Sequence, residues 1–402
     1  YKNHVINMAE SRDLQRQIQD SIPAERTESD LEGLCTFAFN YSFQEAYLRG
    51  LRSTFLTANE YKQLQGVESI EDFRTLLQDT DYIAAMQGLA APRPQIIYAK
   101  CYEKWVKEFE FMKMQATGKF AAFLDLLTHE YLISNVVALI AATVKGTSPE
   151  DVLSHCHPLG NSPYLQSFFG FEKEDSLIDL YRIVLVDMPI GKYFAKYFDA
   201  EMRSGDPQRA LQGTFKEVDM VVISDQLRKL WLEELWEYSQ SLGGATWEMM
   251  KPMLEFEADR RAIEIVYNSI QIKSSYSDPQ HRQARQDLFC SFGKLYPTCT
   301  AHNIGNFVNV DSIAALQSAV EYVPEYARAL RQAVEGVTTL SDALKQVEVK
   351  VLIDGCAGQG HFGVIYSYSK LKAIELENIR SLANAAAIKR SNKQPGKFVS
   401  IL

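Results

Sequence analysis

Long apolar runs, paired cysteines and clustered positive charge are all missing from this chain. No stretch approaches the roughly 20 apolar residues that span a bilayer. The longest candidate, Tyr131 to Val144, is short and contains Ser134 and Asn135, so a core helix is expected there and no transmembrane segment. Tyr1 to Glu32 is polar, mixed in charge and broken by Pro23, which is not the pattern of a secretory signal. The six cysteines (Cys35, Cys101, Cys156, Cys290, Cys299, Cys356) form no CxxC pair and read as reduced, mostly buried thiols of a cytosolic protein. A net charge of -9 with no Lys/Arg stripe argues against nucleic-acid partners. Neither GxxxxGK[ST], HExxH nor GxSxG occurs, which leaves ATP hydrolysis without support. The absence of a sustained heptad disfavours a coiled-coil stalk.

What is present is a pattern repeated three times. It reads Glu68-Ser69-Ile70 with Phe73, Leu76 and Leu77; Asp175-Ser176-Leu177 with Leu180, Ile183 and Val184; and Asp311-Ser312-Ile313 with Leu316, Ala319 and Val320. Serine before an apolar stripe of three-and-four spacing predicts an N-capped helix each time. Asp72 and Asp179 add negative charge near the positive end of the helix dipole, whereas Ala315 does not. A tyrosine follows every copy, at Tyr82, Tyr193 and Tyr326. An apolar helix is expected before each: Phe43 to Phe55, Ser134 to Val144 and Ala262 to Ile270. Units that cannot bury an apolar face alone predict a threefold, all-α assembly.

Along the chain, residues 1–33 read as an N-terminal extension with a marginal helix around Ser11 to Ile22. Residues 34–402 read as a single helical body with three pseudo-repeats (about 43–98, 120–205 and 250–340) and a C-terminal helix. Loops are expected at Ala90–Pro94, Lys145–Pro149, His157–Pro163, Arg203–Gln208, Ser274–Gln280 and Glu335–Ser341. Val218 to Leu242 predicts a long helix with Val221, Leu227, Leu230, Leu232, Leu235 and Trp236 on its apolar face, ended by Gly243-Gly244.

Three constellations could carry chemistry. His155-Cys156-His157 is dense in metal donors, but adjacent side chains diverge, and a helix exit followed by a turn is the better expectation. Glu255 to Arg261 concentrates charge at the start of the third apolar helix. Glu257, Arg260, Arg261 and Glu264 stand at spacings that allow a structural ion-pair network. Paired carboxylates can also serve as acid and base, but no His, Ser or Cys motif accompanies them. Val347 to Gly360, with Asp354 and Gly355, Gly358 and Gly360, mimics the strand, acid and glycine-rich turn of S-adenosylmethionine-dependent methyltransferases. Only 42 residues follow Gly360, too few for the rest of such a sheet. No catalytic, cofactor-binding or metal residue is assigned, and no small-molecule substrate is expected.

The order of several short segments carries more than any of them alone. Tyr47-Leu-Arg-Gly-Leu-Arg52, Thr80-Asp-Tyr82, Cys156-His-Pro-Leu-Gly160, Val184-Leu-Val-Asp187 with Pro189, Leu254-Glu-Phe-Glu-Ala-Asp-Arg-Arg261, Gly293-Lys-Leu-Tyr-Pro297, His361-Phe-Gly-Val364, Tyr366, Tyr368 and Lys370-Leu-Lys372 run across residues 34 to 402. Together they resemble the family that joins V-type proton-translocating ATPase subunit d with its counterpart, the C-type subunit of archaeal-type ATPases. The resemblance implies a noncatalytic central-rotor protein shaped as a funnel of helices with three pseudo-repeats. It would lie on the cytoplasmic face of vacuolar or other endomembranes as a peripheral protein. It would link the membrane proteolipid c-ring to the axle subunits D and F, with the stator or the membrane a-subunit as a further candidate partner, and it implies no cofactor. The alternatives are a generic helical scaffold or, from the Gly355–Gly360 motif, an S-adenosylmethionine-dependent methyltransferase.

The chain departs from the family pattern in four places. The extension has no counterpart, and Asn40-Tyr-Ser-Phe43 stands where the family carries an Asn-Gly turn. Four glycines between Gly355 and Gly363 put a helix there in doubt, because each costs about 1 kcal/mol in a helix interior. Ser381-Leu-Ala-Asn-Ala-Ala-Ala387 replaces a bulkier segment, which implies a loosely packed last helix.

Overall fold

The computed structural model describes residues 34–89, 91–153, 155–170, 185–204, 220–271, 285–296, 307–388 and 398–401. Among these residues it contains fourteen α-helices, two 3-10 segments and no strand. The all-α expectation holds for that part of the chain. The Ser11–Ile22 helix, the Asp175-Ser176 pattern and the Ser274–Gln280 loop lie outside the described residues.

The first seven helices are α1 (Leu34–Arg52), α2 (Ala58–Gly66), α3 (Ile70–Gln78), α4 (Ile83–Met86), α5 (Pro94–Met114), α6 (Gly118–Lys145) and α7 (Pro149–Leu153). The 3-10 turns Pro158–Gly160 and Pro163–Gly170 follow. Then come α8 (Gly191–Ser204), α9 (Met220–Leu242), α10 (Gly244–Gln271), α11 (Ile313–Val320), α12 (Pro324–Val334), α13 (Leu340–Gly355) and α14 (Gly363–Ala387).

Local chemistry sets many of the boundaries. Ser69 accepts from the Asp72 amide at 3.1 Å, and Ser312 accepts from the Ala315 amide at 3.3 Å, so two of the three repeated serines are N-caps. Gly243, at φ +64°, gives the left-handed turn between α9 and α10 that a side chain would resist. On α9, Leu227, Leu232 and Leu235 are buried as expected, but Val221 near its start is exposed.

Several expectations need correction. The first repeat is not a simple helix, loop, helix, because α2 stands between α1 and α3. Its sequence is mostly polar and buries only Tyr61 and Leu64, so periodicity misses it; a reciprocal Thr57/Glu60 capping box fixes its start. The Glu255–Arg261 charge cluster is not at a helix start: α10 begins at Gly244 and runs through Pro252. Asn40 to Phe43 lies within continuous helix.

Helix α6 holds the segment Gly118–Thr143, which is long and apolar enough to cross a membrane by length and composition. Sequence reading underrated it because polar residues interrupt its apolar runs. In the fold 61% of its most apolar 18-residue stretch is buried, and Phe123, Leu124, Ile133, Val136, Leu139 and Ile140 are fully enclosed.

Buried apolar side chains form two clusters. The larger spans α1 to α9, the first part of α10, the end of α13 and α14; the smaller joins the last part of α10 to α11, α12 and the start of α13. Helix α10 contributes Met250, Met253 and Leu254 to one and Ile263 and Val266 to the other. Helix α14 touches α1, α2, α3, α5, α10 and α13, which makes it the hub. It is buried through Leu382, Ala383 and Ala386, so the small residues near its end permit close approach rather than loose packing.

Candidate functional site

A helix surrounded on most sides has little room for charge, yet α14 carries two fully buried charged residues, Lys372 and Glu375. Their i, i+3 spacing brings the ammonium to 2.8 Å from Glu375 Oε1. The same carboxylate accepts from the Tyr82 hydroxyl at 2.5 Å and from the Leu56 amide at 2.8 Å. Lys372 Nζ also sits 4.7 Å from the Tyr82 ring centre and 5.2 Å from that of Phe55. Burial, then the Glu375 charge, pushes the Tyr82 phenol well above its ordinary range, so it remains a donor.

One turn earlier, Tyr368 donates to Glu108 on α5 at 2.7 Å. Glu108 pairs with Lys104, which reaches Asp81 at 2.6 Å, and Thr54 donates to Asp81 at 2.9 Å. Burial raises the Asp81 carboxyl, but the hydrogen bond and charge of Lys104 outweigh it and hold the group below its usual value. Thr80-Asp-Tyr82, which follows α3, is thereby tied to α5 and α14.

The next face of α14 carries Lys370, 2.9 Å from Glu130 on α6. Burial disfavours its charge; Glu130 more than compensates and keeps the ammonium well above its ordinary value. On α10, Arg260 lies 2.6 Å from buried Glu257 and 3.1 Å from Glu264. Burial raises the Glu257 carboxyl, but Arg260 overrides this and lowers it to about 2. Arg261 points elsewhere: it reaches the Asp225 carbonyl at 3.2 Å and its carboxylate at 3.5 Å on α9. The structure therefore brings Glu257, Arg260 and Glu264 into one ladder and sends Arg261 to a neighbouring helix.

Asp259, two residues from Glu257, serves the smaller cluster. Its carboxylate accepts from the amides of Lys294 and Leu295, each at 3.0 Å, and from the Tyr326 hydroxyl at 2.9 Å. Gly293 has φ +126°, and a Cβ there would stand 2.4 Å from Asp259 Oδ1, so only glycine lets this turn close on the acid. Burial raises the Asp259 carboxyl to about 6 against these stabilising donors.

The three tyrosines that follow the repeated pattern thus share a fate. Tyr82 meets Glu375 and Tyr326 meets Asp259, while Tyr193 places its hydroxyl 3.1 Å from His129 Nδ1. All three are buried, and each joins its segment to a buried titratable group on another helix. Sequence reading found the tyrosines but missed Glu375, Glu108, Lys104 and His129. The available signal was a charged pair, Lys372 and Glu375, at helical spacing.

The Cys156 to Gly160 loop is anchored differently. Asn135 on α6 donates to the carbonyls of His157 and Gly160, each at 2.9 Å, and accepts from the His157 amide at 2.7 Å. His157 stacks on Tyr131 with centroids 3.9 Å apart, and its Nδ1 accepts from the Leu159 amide at 3.1 Å. Burial lowers its pKa to about 3. His155 is exposed and contacts the Asp151 carbonyl, so the two histidines diverge as the helix-exit reading requires.

The same loops and helices match a protein-family model over residues 44–395, described as the ATP synthase (C/AC39) subunit. The chain belongs to this family. It is 29% identical over 370 residues to a probable V-type proton ATPase subunit d of Oryza sativa, covering 92% of this chain and 98% of that protein. It is 30% identical over 348 residues to V-type proton ATPase subunit d of Dictyostelium discoideum, covering 86% and 91%. The C-type subunit of the A-type ATP synthase of Pyrococcus horikoshii is 21% identical over 228 residues, covering 56% and 55%. The C/AC39 family, which includes V-type subunit d, is noncatalytic.

Membership also accounts for the methyltransferase-like stretch. Val347 to Gly355 lies on α13, where that fold would need a strand. Gly355 ends α13, Gly358 and Gly360 lie in the turn, and Gly363 opens α14, so the glycines do not interrupt a helix. A Cβ at Gly355 would meet Met253 Sδ at 2.3 Å, which makes close packing the reason for that glycine. Arg49 of the Tyr47–Arg52 motif pairs with Glu45 at 2.7 Å and donates to the carbonyls of Cys356 and Gly358; Glu45 accepts from the Gly360 amide at 3.2 Å. The first and last of the described helices, α1 and α14, are clasped at this turn.

Proposed function

We propose that this chain is a noncatalytic central-rotor subunit of a V-type proton-pumping ATPase, passing torque from the central stalk to the membrane proteolipid ring. The observation that carries the reading is the family match across residues 44–395. Torque transmission needs a body that resists shear. Buried hydrogen bonds and ion pairs between elements far apart in sequence supply directional resistance that apolar packing alone lacks. The Tyr82–Glu375, Tyr368–Glu108 and Lys370–Glu130 contacts are of this kind.

On this reading the partners are the proteolipid c-ring and axle subunits D and F, with the membrane a-subunit as a further contact. The protein works on the cytoplasmic face of a vacuolar or other endomembrane as a peripheral subunit. The funnel of three pseudo-repeats is part of the same proposal, supported by the recurring buried tyrosines. ATP hydrolysis occurs on other subunits, and protons cross elsewhere.

The test is mass spectrometry of proteins that co-purify with the tagged chain from detergent-solubilised membranes. Recovery of a small, very hydrophobic proteolipid with ATPase stalk subunits is expected. Recovery of soluble partners alone would instead establish a helical scaffold and overturn the rotor assignment.

A further inference from the structure

Helix α2 is held to the body by two buried side chains, Tyr61 and Leu64. Tyr61 is completely enclosed, and part of its cover comes from the far end of the described residues: the Phe398 ring stacks on it with centroids 5.0 Å apart and planes 14° apart. Val399, next in sequence, is gripped by its backbone. Asn378 on α14 donates to the Val399 carbonyl at 2.8 Å and accepts from the Val399 amide at 3.0 Å. In extended backbone the N–H and C=O of one residue point the same way, so the Asn378 amide takes the place that an opposite residue holds in an antiparallel ladder. Ile401, two residues on, is 1% exposed and joins the larger apolar cluster, against which Phe398 and Val399 also pack.

These contacts make a recognition set. An aromatic ring lies on Tyr61, a backbone amide and carbonyl lie on Asn378, and an aliphatic side chain three positions after the aromatic enters the core. Extended peptides are bound in this way, with main-chain hydrogen bonds giving affinity and pockets for particular side chains giving specificity. Asn378 is itself buried and spends both ends of its amide on Val399, so an emptied groove would leave a polar group short of partners. None of the contacts depends on residues 398–401 being joined to α14. Their tether gives them a high effective concentration, and an incoming peptide has to compete with it.

We propose that the groove between α2 and α14 is a recognition site for an extended peptide bearing an aromatic residue and, three positions later, an aliphatic one; residues 398–401 occupy it in cis, and a partner segment of the same chemistry displaces them. This follows from the contacts of Tyr61, Asn378 and Ile401 and does not rest on the rotor assignment. The test cuts the tether in the folded protein. A protease site placed within residues 389–396 of the full chain is cleaved, and a fluorescein-labelled peptide of residues 397–402 is titrated in by fluorescence polarisation. The cut chain should bind it at least about tenfold more tightly than the uncut chain, where the tethered segment competes. Phe398→Ala or Ile401→Asp in the peptide should weaken binding by about tenfold or more, whereas a peptide with Phe398→Trp and Ile401→Leu should still bind.

Loss of the cut segment without binding of the labelled peptide would overturn the proposal. So would retention of the cut segment against a large excess of that peptide, since residues 398–401 would then be a fixed part of the core. Equal binding to cut and uncut chains would put the peptide elsewhere, and mixed dimers of the uncut chain in native mass spectrometry would give the groove to a second copy; either result excludes the proposed site. An uncut chain carrying Ile401→Asp is the second route. Its own segment has lost an anchor, so it should bind the parent peptide without cleavage, which separates recognition from any damage done by the cut.

Discussion

The hydroxyl of Tyr82 donates to the Glu375 carboxylate at 2.5 Å, across 293 positions of sequence and with both side chains fully buried. Lys372 supplies the balancing charge to the same carboxylate. Enclosed charge is costly to leave unmatched, so the arrangement stands or falls as a unit. Its position on the hub helix makes it a brace for α3, α5 and α14 together.

Removing the cation alone should therefore be severe. Lys372→Met leaves the Glu375 carboxylate buried without its counter-charge and is expected to lower the unfolding free energy by about 3–5 kcal/mol. Lys372→Met combined with Glu375→Gln should recover most of that loss. Urea denaturation of the two variants checks this; a single variant as stable as the parent would show that the pair does not brace the fold.

The α10 ladder gives a second double-variant cycle. Arg260→Met should cost several kcal/mol because Glu257 is buried, whereas Glu264→Gln, on a more exposed arm, should cost about 1 kcal/mol or less. Coupling between Arg260→Met and Glu257→Leu should exceed that between Arg260→Met and Glu264→Gln. Equal couplings in the measured cycles would contradict the difference in burial.

Acidification should affect the Asp259 clasp in a defined direction. Its folded pKa of about 6 lies above the ordinary 3.8, so the native state holds this proton more tightly than the unfolded chain does. The contribution is fully present below about pH 4 and is lost as pH rises through about 6. The shift corresponds to roughly 3 kcal/mol. Half-buried His157, lowered to about 3, acts oppositely: its contribution is present above about pH 6.5 and is lost as pH falls. The clean readout is the difference in urea midpoint between parent and Asp259→Asn, which should narrow from pH 4 to pH 7. A constant difference would exclude titration of Asp259 in that window.

Two glycines should respond with opposite signs. A Cβ at Gly160 would stand 2.4 Å from the Tyr131 backbone carbon, so Gly160→Ala must push the loop off α6 and is expected to cost about 2 kcal/mol or more. Gly50 lies inside α1 with open space around it, and Gly50→Ala should stabilise by about 0.5–1 kcal/mol. Thermal denaturation of both proteins decides the matter. Equal effects would mean that steric closure of the 156–160 loop is unimportant.

What was legible in the sequence follows the range of the interactions involved. Ser69 and Ser312 cap helices with their own third-following amides, so four residues suffice to predict them. The stop at Gly243-Gly244, the turn after Glu335 and the buried character of α6 are equally local, since backbone freedom and apolar period decide them. The order of the short motifs was enough to place the chain in its family. Helix α2 escaped because a polar helix that buries only two side chains has almost no period to detect.

Tertiary structure alone decided which partner each conspicuous residue took. Spacing offered Glu257 to both Arg260 and Arg261, but side-chain direction on α10 gave Arg261 to Asp225 across a helix interface. The three tyrosines looked like repeated core residues, yet their hydroxyls had to find acceptors once burial removed water. Glu375, Asp259 and His129 met that need from helices that no local pattern could have brought near.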